Sequence, residues 1–354
     1  GDITAAARML AVLIFGVNTI LFGLVVFVCT RHSLAVTVCA VLFFVLCAAN
    51  VRVHSMAWSE GPFITFCLAT VLLLCRHVGK PTPLRLLLIA AAAGAAILTR
   101  YVGLTLLPPL AAILLVYGRR PVRARARNAV LACGVGLLPL LAWFVRNTVV
   151  AETVANRGLA WHPLSWWHVA RFVVSTVNFV LPLPLPLRTK ILLGWAGCLG
   201  IIGSILLRRR IQLRALLKPP RAAVPAFCAL FAPTYLFFLA LSISVFDAAT
   251  AANYRMLIPF HLLSALVGIF AVWDVLRRSE RPALRPVVVV LFAITLTVNA
   301  HETVREAVQM HRDGRGYAHR EWHDSETIGF VKELPPDIKV YSSAPDALRF
   351  LTTR

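Results

Sequence analysis

Four small clusters of polar residues interrupt an otherwise apolar chain. His54, Ser55, Trp58, Ser59 and Glu60 form one, and Arg100 with Tyr101 a second. Trp143, Arg146 and Asn147 form a third, and Asp247, Asn253, Tyr254 and Arg255 a fourth. Arginine forks match phosphate oxygens. Carboxylates move protons or orient hydroxyls, and aromatic rings suit sugar faces. These types together suit a phosphorylated sugar held beside lipid, and a transporter of an anionic lipid would use much the same set. Taken singly, each arginine has a plainer reading as a side chain reaching for the membrane interface. The clusters mix Arg with Glu, Asp, Asn, Tyr and Trp, however, whereas the remaining basic loops carry almost bare arginine.

The elements that must position these clusters are membrane helices. The 354 residues are 59% hydrophobic and only 14% charged, with a mean hydropathy of +0.78. A soluble domain carries about 25% charged residues, so an ordinary water-soluble enzyme is excluded, and so is a disordered chain. Apolar runs of the length a bilayer needs predict about ten spans: 8–29, 33–50, 60–76, 84–99, 101–117, 129–149, 189–207, 222–245, 256–276 and 284–300. The fold class expected is therefore an all-α polytopic membrane domain over 1–300. Residues 84–117 also read as a broken or re-entrant pair around Thr99, Arg100 and Tyr101, a break that needs protein or water around it.

The net charge of +21 is mostly topology. One set of loops holds 19 Lys and Arg and the opposite set nine. The first set is expected in the cytoplasm, which makes the chain a multi-pass plasma (inner) membrane protein. All four polar clusters and the C-terminal segment then lie on the extracytoplasmic side. Nucleic acid is not an expected partner. Nine of the fifteen acidic residues follow residue 300, so a carboxylate for chemistry inside the membrane domain has few candidates, chiefly Glu60 and Asp247.

Three segments break the helical pattern. Residues 150–188 form a long outer loop with Trp161, Trp166 and Trp167, predicting an interfacial amphipathic helix. Pro182, Pro184 and Pro186 make an extended run. Residues 301–354 carry 17 charged residues in 54 and read as a soluble, incomplete extracytoplasmic segment. Within it a strand is expected over 338–342 and a helix from about Pro345, the start of an α/β unit. The chain opens on Gly1, and both ends read as cuts within a longer protein.

Other motifs carry bland readings. Gly194, Gly197, Gly200 and Gly203 make a small-residue packing surface, and Gly134 and Gly136 sit inside a span. His319, Glu321 and His323 have the wrong spacing for a zinc protease. The eight cysteines show no C-x-x-C spacing and read as membrane-core residues. No fixed cofactor is expected, although a divalent metal is left open.

The order of several segments resembles the membrane domain of type C glycosyltransferases, in the bacterial branch similar to protein O-mannosyltransferases and aminoarabinose transferases. The segments are Ala6-Ala7-Arg8-Met9-Leu10, His54-Ser55-Met56-Ala57-Trp58-Ser59-Glu60, Leu98-Thr99-Arg100-Tyr101-Val102-Gly103-Leu104 and Trp143-Phe144-Val145-Arg146-Asn147. Asn253-Tyr254-Arg255-Met256-Leu257-Ile258-Pro259 and Val340-Tyr341-Ser342-Ser343-Ala344-Pro345-Asp346-Ala347 follow.

The resemblance implies transfer of a sugar from a polyprenyl-phosphate donor to a glycan, lipid or protein acceptor, by direct displacement at the anomeric carbon. It implies a general-base aspartate upstream of the segment at Ala6–Leu10, where this chain starts too late to contain it; either that base is cut away, the preferred reading, or Glu60 or Asp247 takes a comparable catalytic role. Arg100, Arg146 and Arg255 are expected to hold the donor phosphate. His54, Tyr101, Asn147 and Tyr254 are expected to meet sugar or acceptor. The alternative is a transporter or flippase for a lipid-linked or anionic solute, and a non-catalytic scaffold is a third reading.

Overall fold

Long apolar runs with few helix breakers leave the backbone one way to satisfy its polar groups in lipid, which is the α-helix. The computed structural model describes residues 3–117, 120–152, 159–208, 222–246, 250, 252–278, 283–335 and 338–352, by backbone alone at 151 and 198–208. The helices are α1 (Ile3–Cys29), α2 (Leu34–Leu46), α3 (Ala48–His54), α4 (Glu60–Gly79), α5 (Pro83–Thr99), α6 (Leu107–Tyr117), α7 (Val122–Ala151) and α8 (Trp166–Val180). There follow α9 (Leu187–Arg208), α10 (Ala223–Val245), α11 (Tyr254–Arg278), α12 (Leu284–Asp313) and three short helices, α13 (Arg320–His323), α14 (Glu326–Glu333) and α15 (Pro345–Thr352).

The ten expected spans fall in helical segments, the second broken at Cys47 and the fifth opening as a 3-10 turn, but ten crossings are more than the helix lengths support. Among the described residues, six helices are long and apolar enough to cross a membrane, namely α1, α4, α7, α10, α11 and α12. The α2–α3 pair, bent by 60° at Cys47, makes a seventh if it counts as one span. The protein is thus an all-α multi-pass membrane protein. Its outer surface shows large apolar side chains, such as Met9, Leu13 and Ile20 on α1, as a lipid-facing surface does.

Helix α4 is the hub. It packs on α1, α5, α10 and α11 and buries Phe63, Ile64, Cys67, Leu68, Val71 and Leu74 completely. In lipid such contacts stabilise by close van der Waals packing. Helix α5 starts with Thr82, whose Oγ1 accepts from the Arg85 N–H at 3.3 Å, and with Pro83 in the first turn. Its Gly94 lies against the backbone of Gly136 on α7, where a Cβ would stand 3.0 Å from the Gly136 carbonyl oxygen.

Two breaks shape the bundle. The first, at Cys47, frees backbone groups that side chains then satisfy. The Ala48 N–H donates to Asn299 Oδ1 at 3.3 Å, Thr303 Oγ1 donates to the Leu46 carbonyl at 2.8 Å, and Asn50 Nδ2 donates to the Phe44 carbonyl at 2.9 Å. Asn299 is the buried residue of α12 and also donates to the Val180 carbonyl at 2.9 Å, which ties in the end of α8. The second break is the one expected at Thr99 to Tyr101. Arg100 is extended, and a 3-10 turn over Tyr101–Leu106 leads into α6. That turn doubles back on α5 so closely that a Cβ on Gly103 would stand 2.7 Å from the Ala96 carbonyl carbon.

Two expectations need correction. The outer loop is shorter than 150–188, because α7 runs to Ala151 and α9 begins at Leu187. Within it, α8 is the amphipathic helix expected, burying Ala170, Val173 and Phe179 and exposing Trp166 and Trp167. Residues 182–186 are non-helical. The strand expected over 338–342 is not formed, and among the described residues there is no strand. A lone β-run has no partner for its backbone here, and Tyr341 is fully turned to the outside. The helix expected from Pro345 is present as α15.

Candidate functional site

Glu60 occupies the first turn of α4, where a carboxylate is favoured by the helix dipole. Its side chain is only 1% exposed, and a carboxylate at that depth needs cations. Two arrive from distant parts of the chain. Arg100, held in the break after α5, pairs through Nη1 with Glu60 Oε1. Arg255, in the first turn of α11, places Nε 2.7 Å from the same oxygen. Both arginines therefore share one carboxylate oxygen, while Glu60 Oε2 is buried without a hydrogen-bond partner among the described residues.

The surroundings fix these side chains. Arg100 Nη1 also lies 3.3 Å from Ser59 Oγ, and its Nη2 lies 3.0 Å from Met256 Sδ. The Arg255 guanidinium sits 4.4 Å over the Trp58 ring. Tyr235 OH donates to the Met256 carbonyl at 2.5 Å, holding α10 against the start of α11. One carboxylate and two guanidinium groups leave the node with an excess positive charge.

Beside it lies a second group. Trp143 Nε1 donates to Tyr101 OH at 3.1 Å. The Arg146 guanidinium lies 5.0 Å from the Trp143 ring and donates to Asn147 Oδ1 at 3.2 Å. Arg146 is exposed and does not join the Glu60 node. A third group surrounds Tyr254. Arg52 stacks over the Tyr254 ring at 5.0 Å and pairs with Glu306, and Arg315 bridges Glu306 at 2.9 Å to Tyr254 OH at 3.4 Å. The four polar clusters, as far as they are described, thus gather at one end of the bundle.

His54 sits differently from the others. It is buried, its Nε2 is 2.9 Å from Asn18 Nδ2, and its Nδ1 is 2.9 Å from the Asn50 carbonyl. The neutral form with the proton on Nδ1 satisfies both contacts. Asn18 in turn donates to the Gly61 carbonyl and accepts from Thr65 Oγ1. The ring is a strut joining α1, α3 and α4, with neither nitrogen free for a ligand. Asp247 lies outside the described residues.

A cavity of about 400 Å³ opens at this end, between α3, α8, the segment after α8, and the beginnings of α9 and α11, with α12 along one side. Asn253 and Tyr254 line it, so it adjoins the Glu60 node through Arg255 without including Glu60. Sequence reasoning missed its Arg52, Glu302 and Arg305, and missed Glu306 and Arg315 beside it. The legible signal was the pair Glu302 and Glu306, four residues apart and so on one face of a helix. Among the described residues no group of three or more His, Cys, Asp or Glu is placed to hold a metal ion.

Comparison with known family models, curated proteins and solved structures finds no match to this chain.

Proposed function

We propose that the protein transfers a sugar from a polyprenyl-phosphate donor to a glycan, lipid or protein acceptor, at the end of the bundle that gathers Glu60, Arg100 and Arg255. In this reading that end and residues 301–354 face the extracytoplasmic side of the plasma (inner) membrane, as the distribution of basic loops suggests. The acceptor oxygen attacks the anomeric carbon, the bond from that carbon to the phosphate oxygen breaks, and the carrier leaves as its phosphate. Arg100 and Arg255 stabilise the negative charge that grows on the phosphate. Glu60 holds both arginines with one oxygen and offers the other to a hydroxyl. Tyr101 and Asn147 lie beside this path, with Arg146 at its exposed margin. A carboxylate must take the acceptor's proton, and Glu60, with its second oxygen unmet among the described residues, is the carboxylate placed at this site.

The single observation that carries the reading is the shared Glu60 oxygen. Two arginines with excess positive charge beside a carboxylate oxygen that has no partner among the described residues suit an anionic leaving group next to hydroxyls. A second reading, transport of a lipid-linked or anionic solute, draws on the bent α2–α3 pair, since broken helices accompany transporter sites. Full-length protein in vesicles, given a radiolabelled polyprenyl-phosphate sugar, separates the two. Label covalently attached to acceptor supports transfer, and saturable uptake without covalent attachment supports transport.

A further inference from the structure

We infer that the cavity between α3, α8 and α12 is a binding site for a phosphate ester that carries a hydroxyl close to its phosphate, separate from the Glu60 node. About 400 Å³ is room for a small ligand. Four cations line the cavity, Arg52, Arg171, Lys190 and Arg305, against the single carboxylate Glu302. That carboxylate is already taken, with Arg305 at 3.1 Å and Arg52 at 3.8 Å. Arg52 is further engaged by Glu306. Arg171 and Lys190 have no carboxylate partner among the described residues. Arg171 is instead stacked 4.9 Å over the Trp167 ring, a contact that orients the plane and leaves its edge N–H groups available.

The neighbouring polar atoms point the same way. Ser175 lies one helical turn after Arg171 and Asn178 two turns after it, on one face of α8. Ser175 Oγ and Asn178 Oδ1 are both buried in the cavity wall with no hydrogen-bond partner among the described residues. Buried polar atoms are normally satisfied. A phosphate oxygen would accept from the Ser175 hydroxyl, and an adjacent hydroxyl on the ligand would donate to Asn178 Oδ1. Pro182 and Pro184 form an opposing wall that carries no N–H on those residues and changes shape little.

The site makes sense for either a lipid-borne or a soluble phosphate ester, and it stands whether or not the protein transfers sugar. The test is equilibrium binding to purified full chain in phosphatidylcholine nanodiscs, with undecaprenyl-phosphate glucose as the lipid-borne probe and glucose 1-phosphate as the soluble one. Saturable binding of either probe is expected, and the probe that binds names the source. Combining Arg171→Gln with Lys190→Gln should raise Kd by about tenfold or more, as loss of charge-assisted hydrogen bonds does. Ser175→Ala should weaken binding less, Lys190→Arg should retain it, and Arg277→Gln at the far end of α11 should leave it unchanged. If the double variant fails to fold, Lys190→Gln and Ser175→Ala singly carry the comparison. Absence of saturable binding of both probes to the wild type overturns the inference, as does unchanged Kd in the substituted proteins.

Discussion

Arg255 and Glu60 lie 195 residues apart in the chain, yet the Arg255 Nε stands 2.7 Å from Glu60 Oε1 with the guanidinium laid over Trp58. The contact joins the start of α11 to the start of α4, the most enclosed of the six helices long enough to cross a membrane among the described residues. It also makes Glu60 the hinge between two arginines that would otherwise repel. Removing the carboxylate alone leaves Arg100 largely buried beside a like charge. Glu60→Ala is therefore expected to destabilise the protein by about 3 kcal/mol, the scale of a broken buried pair. Thermal unfolding of the variant in detergent checks this, and a double-mutant cycle with Arg100→Ala should show strong coupling.

Asn299 holds the bend at Cys47 together from the side of α12. It accepts from Ala48 N–H and donates to the Val180 and Thr295 carbonyls. Asn299→Leu keeps the size and removes all three bonds, leaving a buried N–H and carbonyls unmet. A loss of about 1–3 kcal/mol is expected, read by thermal unfolding. Thr303→Val, which removes one bond to the Leu46 carbonyl, should cost less.

Gly103 sets the position of Arg100. A methyl group there would stand 2.7 Å from both Ala96 C and Ile97 N, and backbone atoms cannot step aside as a side-chain end can. Gly103→Ala should lower stability by about 1–3 kcal/mol through overpacking and displace the Arg100 break. Gly197 on α9 has open space around it, so Gly197→Ala should leave stability within about 0.5 kcal/mol of the wild type, as neutral surface changes do. Unfolding measurements on the two variants make the comparison.

The tail is fastened to the bundle through Glu306. It binds Arg52 on α3 and Arg315 beyond α12, and Arg315 reaches Tyr254 OH. Glu306→Gln should loosen this clasp. Hydrogen exchange over 310–320 should then rise in the variant, while exchange over α4 stays unchanged. Equal exchange over 310–320 in both proteins would show that the clasp does not order the tail.

Much of this arrangement is legible in the amino-acid order. Apolar runs mark every long helix, Arg100 after Thr99 marks the broken segment, and the tryptophan-rich stretch marks α8. The placement of Glu60, Arg100 and Arg255 at helix starts and breaks also follows from the runs that flank them. What escapes is pairing across the chain. Nothing local tells Glu60 to meet Arg255 rather than Arg146, which remains exposed beside Trp143. Nor does a single Asn in an apolar helix announce that it will satisfy a bend about 250 residues earlier. His54 looked like a ligand residue because its neighbours are polar, whereas its partner Asn18 comes from an apolar helix. The run 338–342 alternates like a strand but finds no second strand to pair with among the described residues.

Transfer of label from a radiolabelled polyprenyl-phosphate sugar to acceptor, compared between wild-type full-length protein and its Arg100→Gln and Arg255→Gln variants, tests the central claim most directly. The account predicts label in the acceptor with the wild type, and a fall of about 100-fold or more in each variant at equal membrane insertion, the scale of losing one group that stabilises transition-state charge. Near-wild-type transfer by both variants, or no transfer by the wild type, would contradict it.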